Sequence, residues 1–203
     1  MSPTETLLFL PGASGNTGFW KPVADRLRHP GARRFLAWPG LGGVPADPGV
    51  RGIGDLVTRV VHQITGPTAL LAQSMGGVIA VRAALEKPEA IRHLVLSVTS
   101  GGIDVARLGG EDWRPTFRAR NPGLPSWFLD EREDLTERMR EIRIPVLLLW
   151  GDADPISPVA VGRRLAELFP RAELVVVPGG THDLVLERAD EVAPDIDRHL
   201  AQH

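Results

Sequence analysis

Apolar positions along the chain fall into two alternating patterns. Short runs that are apolar almost throughout occur at Thr6–Leu10, Arg34–Trp38, Thr68–Ala72, Ile91–Val98, Ile144–Trp150 and Glu173–Val177. Runs of this length, rich in Leu and Val, are how strands buried on both faces of a parallel sheet read. Between them, apolar residues recur at helical spacing over Val23–Arg28, Leu56–Ile64, Val78–Glu86 and Val159–Phe169, and at Val192, Ile196 and Leu200. Strand and helix therefore alternate. The pattern predicts an α/β fold: a mostly parallel, doubly wound sheet of about six strands with helices on both faces and a site beyond the carboxyl ends of the strands. No repeat, low-complexity tract or linker divides residues 1–203, which read as one domain. Two connections are long. Residues 39–54 hold six Gly and three Pro, and residues 101–141 form an insertion that reads as a small cap or lid. Within that insertion, Asp130–Glu141 has the acidic, amphipathic pattern of an exposed helix, with Leu135 and Met139 on its inner face.

The polar residues that interrupt this pattern stand where strands end. Ala72-Gln-Ser-Met-Gly-Gly77 follows the third run and leads straight into a helix, so Ser74 occupies a sharp strand-to-helix turn with small residues two positions to either side. Such a turn holds a hydroxyl outward, and the helix behind it aims unpaired N–H groups, that of Met75 first, at a developing oxyanion. Read alone, Ser74 also fits a helix N-cap. A serine nucleophile needs a base and an orienting carboxylate. Asp152 and Asp154 follow the fifth run, and His182 stands on the Gly-rich loop after the sixth, giving the chain order Ser, Asp, His. The other histidines, at 29, 62, 93, 199 and 203, fall in a turn, a helix, a strand start and the C-terminal region.

Composition narrows the classes. Twenty-three Lys and Arg against 25 Asp and Glu leave a net charge of -2, with no excess of basic charge for a nucleic-acid partner. The absence of Cys excludes disulfides, thiolate metal sites and a thiol nucleophile. Met1–Glu5 lacks a basic leader, and Leu7–Leu10 is too short to span a membrane, so the expectation is a cytoplasmic protein with no membrane partner.

These motifs together resemble the α/β-hydrolase family over nearly the whole chain. Leu10-Pro-Gly-Ala13 resembles its oxyanion loop, Trp38-Pro-Gly-Leu-Gly-Gly43 its Pro-Gly-x-Gly loop, and Gln73-Ser-Met-Gly-Gly77 its nucleophile elbow. Trp150-Gly-Asp-Ala-Asp-Pro-Ile-Ser-Pro158 resembles its acid segment, and Gly179-Gly-Thr-His182 its histidine loop. The resemblance implies Ser74, Asp154 and His182 as the triad, with Asp152 in reserve as the acid. It implies the amides of Ala13 and Met75 as oxyanion donors, and neither metal nor cofactor. Pro11 stands where the family usually has His, and Ala72 where it usually has Gly. The first strand resembles the family's third, which implies a small form lacking the N-terminal hairpin, with a reduced cap.

The implied activity is a serine hydrolase cleaving an ester, thioester or related acyl bond of a small to medium, partly apolar substrate. Carbon–carbon bond hydrolysis on the same triad and a non-catalytic ligand-binding homologue are the alternatives. Trp20, Trp113, Phe117, Trp127 and Phe128 are candidates to wall the substrate pocket, and equally candidates for packing the insertion. Arg114, Arg118 and Arg120 either meet a substrate carboxylate or form a solvated basic stretch. A rival pattern, Gly12-Ala-Ser-Gly-Asn-Thr-Gly18, resembles a dinucleotide-binding loop. The next strand, however, supplies no acid or Arg at its end, and the chain has no Tyr to serve the related dehydrogenase chemistry.

Overall fold

The computed structural model describes residues 5–130 and 133–202. The expectations that fall on Met1–Thr4, on Glu131 and Arg132, and on His203 lie outside the described residues. Six strands form one sheet: β1 (Thr6–Leu10), β2 (Ala32–Phe35), β3 (Thr68–Gln73), β4 (Ile91–Ser97), β5 (Val146–Gly151) and β6 (Ala172–Val177). Every pairing is parallel, and the spatial order is β2-β1-β3-β4-β5-β6. Helices α1 (Lys21–Ala24), α2 (Ile53–Gln63), α3 (Met75–Glu86), α4 (Arg114–Arg120), α5 (Val159–Leu168), α6 (Leu184–Glu187) and α7 (Ala189–Leu200) connect and flank them.

Successive side chains of a strand point to opposite faces, and both faces here are covered. Leu8, Leu10, Leu70, Ala72, Leu148 and Trp150 pack with α2, α3 and α5 through residues such as Leu56, Ile79 and Leu165. Leu7, Phe9, Ala69, Leu71, Leu147 and Leu149 pack with α1, α6 and α7 through Val23, Leu184 and Ile196. Burying a Leu or Val side chain in this way contributes about 1.5–3 kcal/mol, which is why these runs carry so few polar residues. From β1 the chain passes outward to β2 at the sheet edge and then returns across β1 to β3. The winding direction reverses between β1 and β3, and a crevice opens at their carboxyl ends.

Several elements differ from expectation. The edge strand expected at Arg34–Trp38 lies two to three residues earlier, at Ala32–Phe35. Arg33 holds the strand there by donating to the carbonyls of Ala24 (3.0 Å) and Leu27 (2.7 Å) at the end of α1. Trp38 leaves the edge and turns inward, where it is buried. From Glu133 to Glu141 the described residues form no α-helix. They hold one α-type bond, Met139 N–H to Leu135 O (3.0 Å), and a 3-10 turn at Arg138–Glu141. Leu135 is tied instead to the preceding loop by its N–H to Gly102 O (2.9 Å), which buries Leu135 and Met139 without continuing a helix. Helices α4 and α6 carry no apolar run long enough to announce them in the sequence. Among the described residues no helix is long and apolar enough to cross a membrane.

Away from the crevice, His199 of α7 is almost fully buried, with its ring 5.3 Å from that of His93 and its Nε2 without a hydrogen-bond partner among the described residues. Burial pushes its pKa from 6.5 down to about 4, and the charges of His93, Arg171 and Arg198 act in the same direction. The unfolded chain therefore binds this proton as pH falls below 6.5, while the folded chain resists it until about 4. The neutral imidazole's contribution to stability is complete above pH 6.5 and is lost toward pH 4, by about 3 kcal/mol at most. Urea unfolding at pH 7.5 and 4.5 should show wild type losing more stability than His199→Leu across that interval. Equal losses would remove His199 as the cause.

Candidate active site

Ser74 sits between β3 and α3 with φ 52° and ψ -122°, a backbone conformation that costs a non-glycine residue about 1–3 kcal/mol. Three hydrogen bonds hold it. Its N–H donates to Ser97 O (3.0 Å), and its carbonyl accepts from the N–H of Gly77 (2.9 Å) and from Thr99 Oγ1 (2.6 Å). The turn also brings α3 against the end of β1. A Cβ on Gly76 would lie 2.6 Å from Pro11 O and 2.8 Å from Leu10 O, so this position takes only glycine. Ala72, two residues before the serine, is a fully buried strand residue opposite Leu10, and a methyl group fits there. Met75 is the first residue of α3, where helix geometry leaves an N–H without an intrahelical carbonyl.

His182 arrives from the loop after β6. Its Nε2 is 3.0 Å from Ser74 Oγ and its Nδ1 is 2.7 Å from Asp154 Oδ2. A carboxylate only accepts, so Nδ1 carries the proton, and in the neutral ring Nε2 is left to accept from the serine hydroxyl. The Asp154 side chain is fully buried; its Oδ1 accepts from the N–H groups of Ile156 (2.8 Å) and Ser157 (3.2 Å). Its charge is thus compensated on both oxygens. Asp152 has a different role. It is exposed, and its Oδ1 accepts from Gly179 N–H at 2.6 Å, clamping the acid loop to the histidine loop. Ala153 N–H to Gly180 O (3.0 Å) adds a second tie, and Gly151 and Gly180 pass so closely that neither has room for a Cβ.

The end of β1 and the loop after it are held by two buried indoles. Trp20 Nε1 donates to Leu10 O (3.1 Å) and Trp38 Nε1 to Pro11 O (2.9 Å). Trp20 therefore does not wall the pocket expected of it: it packs beneath β1 against Phe9 and Phe19. Ala13 follows directly on that loop and is buried. In the rival dinucleotide pattern, Gly15 is packed on the backbone of Leu41 and Gly42, so the protein's own chain fills the hollow of that loop.

A cavity of about 480 Å³ opens over Ser74 and His182. Its apolar wall includes Ile53, Val78, Val98, Trp113, Phe128 and Ile156. Phe117 and Trp127 support that wall from behind, with ring centroids 5.5 Å and 5.4 Å from Phe128. Arg114 lies at the rim, but its Nε donates to Leu129 O (2.9 Å) and its Nη1 to Asp112 (3.0 Å), which ties α4 to the next turn. Arg118 faces Asp130 on the surface. Also at the rim, Glu133 pairs with Arg82 of α3 (3.0 Å), and the hydroxyl and amide of Thr136 hold the Asp134 carboxyl below the usual carboxylate range.

Gln73, Thr99 and Ser157 belong to the site although the sequence reading passed over them. Gln73 Nε2 donates to His182 O (3.2 Å), and Ser157 Oγ to Thr99 O (3.3 Å). The available signal was position: each is a polar residue at or just past the carboxyl end of an apolar strand, where Ser74 and Asp154 also stand.

Comparison with known proteins finds relatives that carry esterase names and solved structures that share the fold. The pimeloyl-[acyl-carrier protein] methyl ester esterase of Yersinia pseudotuberculosis is 24% identical over 233 aligned positions, covering 92% of this chain and 90% of its own. A Synechocystis protein bearing the name of a non-heme chloroperoxidase is 38% identical over 72 residues, 35% of this chain and 25% of its own length. The chain's fold matches a thermophilic esterase from Thermogutta terrifontis with a TM-score of 0.78 at 21% identity, covering 98% of this chain and 90% of that one. A family model described as the alpha/beta hydrolase family matches residues 7–130 and 99–195. The parallel sheet, the strained serine turn and the matched residues lead to one conclusion: the chain belongs to the alpha/beta hydrolase family.

Proposed function

We propose that the protein is a serine hydrolase that cleaves an ester, thioester or related acyl bond through an acyl-enzyme. The observation that carries this is the unbroken line from Ser74 Oγ through His182 to the buried Asp154, with bonds of 3.0 Å and 2.7 Å. His182 Nε2 takes the proton of Ser74 as Oγ attacks the acyl carbonyl, and Asp154 stabilises the imidazolium and fixes its orientation. The N–H groups of Met75 and Ala13 bind the oxyanion. His182 then returns the proton to the leaving alcohol or thiol. Water attacks the acyl-enzyme with His182 again as base, and Ser74 leaves with its proton restored. The apolar wall and the size of the cavity support a small to medium, partly apolar acyl group. The esterase relative supports ester chemistry. Residues 101–141, which contribute Trp113 and Phe128 to that wall, act in this scheme as the substrate-selecting cap.

Wild type incubated with a fluorophosphonate should gain the mass of one adduct and should hydrolyse p-nitrophenyl butyrate. Ser74→Ala should show no adduct and a kcat lower by about 10⁴-fold or more. Folded wild type that neither labels nor hydrolyses would sink the proposal in favour of a ligand-binding role.

The two carboxylates should separate cleanly. Asp154→Asn leaves Nδ1 of His182 facing an amide that can impose the wrong tautomer, so kcat should fall by about 10⁴-fold. Asp152→Asn keeps an oxygen that can accept from Gly179 N–H, so its loss should stay within about tenfold. Matching losses in steady-state kinetics would show that Asp152 shares the acid role.

A further inference from the structure

Two non-glycine residues among the described ones have positive φ: Ser74 at 52° and Val98 at 42°. For a β-branched residue this is costly, because Cβ substituents crowd the carbonyl in the left-handed region. The two strained residues are neighbours. Ser74 follows Gln73, the last residue of β3; Val98 follows Ser97, the last of β4; and Gln73 pairs with Ser97 in the sheet. Val98 is held there by its N–H to Leu149 O (3.1 Å) and contributes to the cavity wall. Its turn sends Thr99 beneath the nucleophile. Thr99 is almost fully buried, its Oγ1 donates to Ser74 O at 2.6 Å and accepts from Gly101 N–H at 3.0 Å.

Ser74 O and Met75 N–H belong to one planar trans peptide, in which the two groups point in opposite directions. A hydrogen bond that fixes the carbonyl therefore also fixes the direction of the N–H. It also draws electron density toward the oxygen and strengthens that N–H as a donor. The bond is coupled to the triad acid: Thr99 O accepts from Ser157 Oγ (3.3 Å), and the Ser157 amide donates to Asp154 Oδ1 (3.2 Å). We propose that Thr99 is a positioning residue that aims and polarises the Met75 N–H at the oxyanion, and that the strained backbone of Val98 is retained because it delivers the Thr99 hydroxyl. This role rests on the acyl-transfer mechanism above.

The test compares Thr99→Val, which keeps the shape and loses the hydroxyl, with Thr99→Ser, which keeps the hydroxyl. With p-nitrophenyl butyrate, Thr99→Val should lower kcat by about 10- to 100-fold, somewhat less than outright loss of an oxyanion donor, with KM within about twofold. Thr99→Ser should stay within about threefold of wild type. The Ki of a trifluoromethyl ketone, whose tetrahedral adduct places an oxyanion in the same hole, should rise in Thr99→Val by the factor that kcat/KM falls. Thr68→Val provides the control. It deletes a comparable bond, Oγ1 to Gly66 O (2.9 Å), at the other end of β3, and should lower the melting temperature without changing kcat. If Thr99→Val does not fold, Thr99→Ala carries the same expectation without added bulk. Wild-type kcat in the valine or alanine variant, or equal losses in valine and serine variants, overturns this role alone. A wild type that neither labels with fluorophosphonate nor hydrolyses the ester overturns the mechanism and this role with it.

Discussion

Everything at the site depends on holding one residue, Ser74, in a backbone conformation that an L-amino acid ordinarily avoids. Left to itself the turn would relax, at a gain of about 1–3 kcal/mol. It is held because the chain on each side of it belongs to a different rigid body, β3 before and α3 after, and both are packed into the same core. The reversal of winding between β1 and β3 makes room for the turn, and glycine at position 76 lets the start of α3 close against the carbonyls of β1. A hydroxyl presented in this way stands within bonding distance of His182, the pre-orientation that the proposed nucleophile needs.

The same problem recurs at every loop that carries a functional group, and the protein solves it repeatedly with buried tryptophan. The indoles of Trp20, Trp38 and Trp150 donate to Leu10 O at the end of β1, to Pro11 O just after it and to Ser157 O in the loop after β5. A large apolar ring anchored in the core with one N–H at its edge suits this task, since it adds packing and satisfies a carbonyl that the sheet no longer pairs. In the proposed mechanism the oxyanion donors are backbone amides, so Pro11 and Ala72 are accommodated where the family resemblance implies His and Gly. What matters at these positions is the course of the main chain, and that is set by Trp38, Trp20 and the packing of Leu10.

The alternation of strands and helices was legible because the strands are buried on both faces and the larger helices on one, so burial wrote the pattern directly into the residues. Ser74, Asp154 and His182 were legible for a related reason: each is a polar residue set at the end of an apolar run, and the fold brings such ends together. The edge strand was misplaced because an edge is decided by hydrogen bonds from Arg33 and not by hydrophobicity. The segment near Leu135 read as a helix because two apolar residues four apart look alike whether a helix or a loop buries them. Trp20 carries no sequence mark that separates a strut from a pocket wall. Thr99 shows in the sequence only its place past the end of an apolar strand, because its bond is to a carbonyl 25 positions away.

Under the proposed function, the parts that perform chemistry and the parts that touch the rest of a substrate are built on different principles. Ser74, Asp154, His182 and the donors around them hang from strand ends and are cross-tied by hydrogen bonds among the loops. The wall at Trp113 and Phe128 comes from the long connection between β4 and β5, which holds short helical turns and a cluster of aromatic rings at 5.4–6.3 Å separations. Ring packing is weakly directional compared with a hydrogen bond. A change of side chain in that cluster alters the volume above Ser74 without disturbing any bond that holds the triad. Under the proposed function, substrate choice can therefore vary through residues 101–130 while the geometry of Ser74, His182 and Asp154 stays fixed by the strand ends.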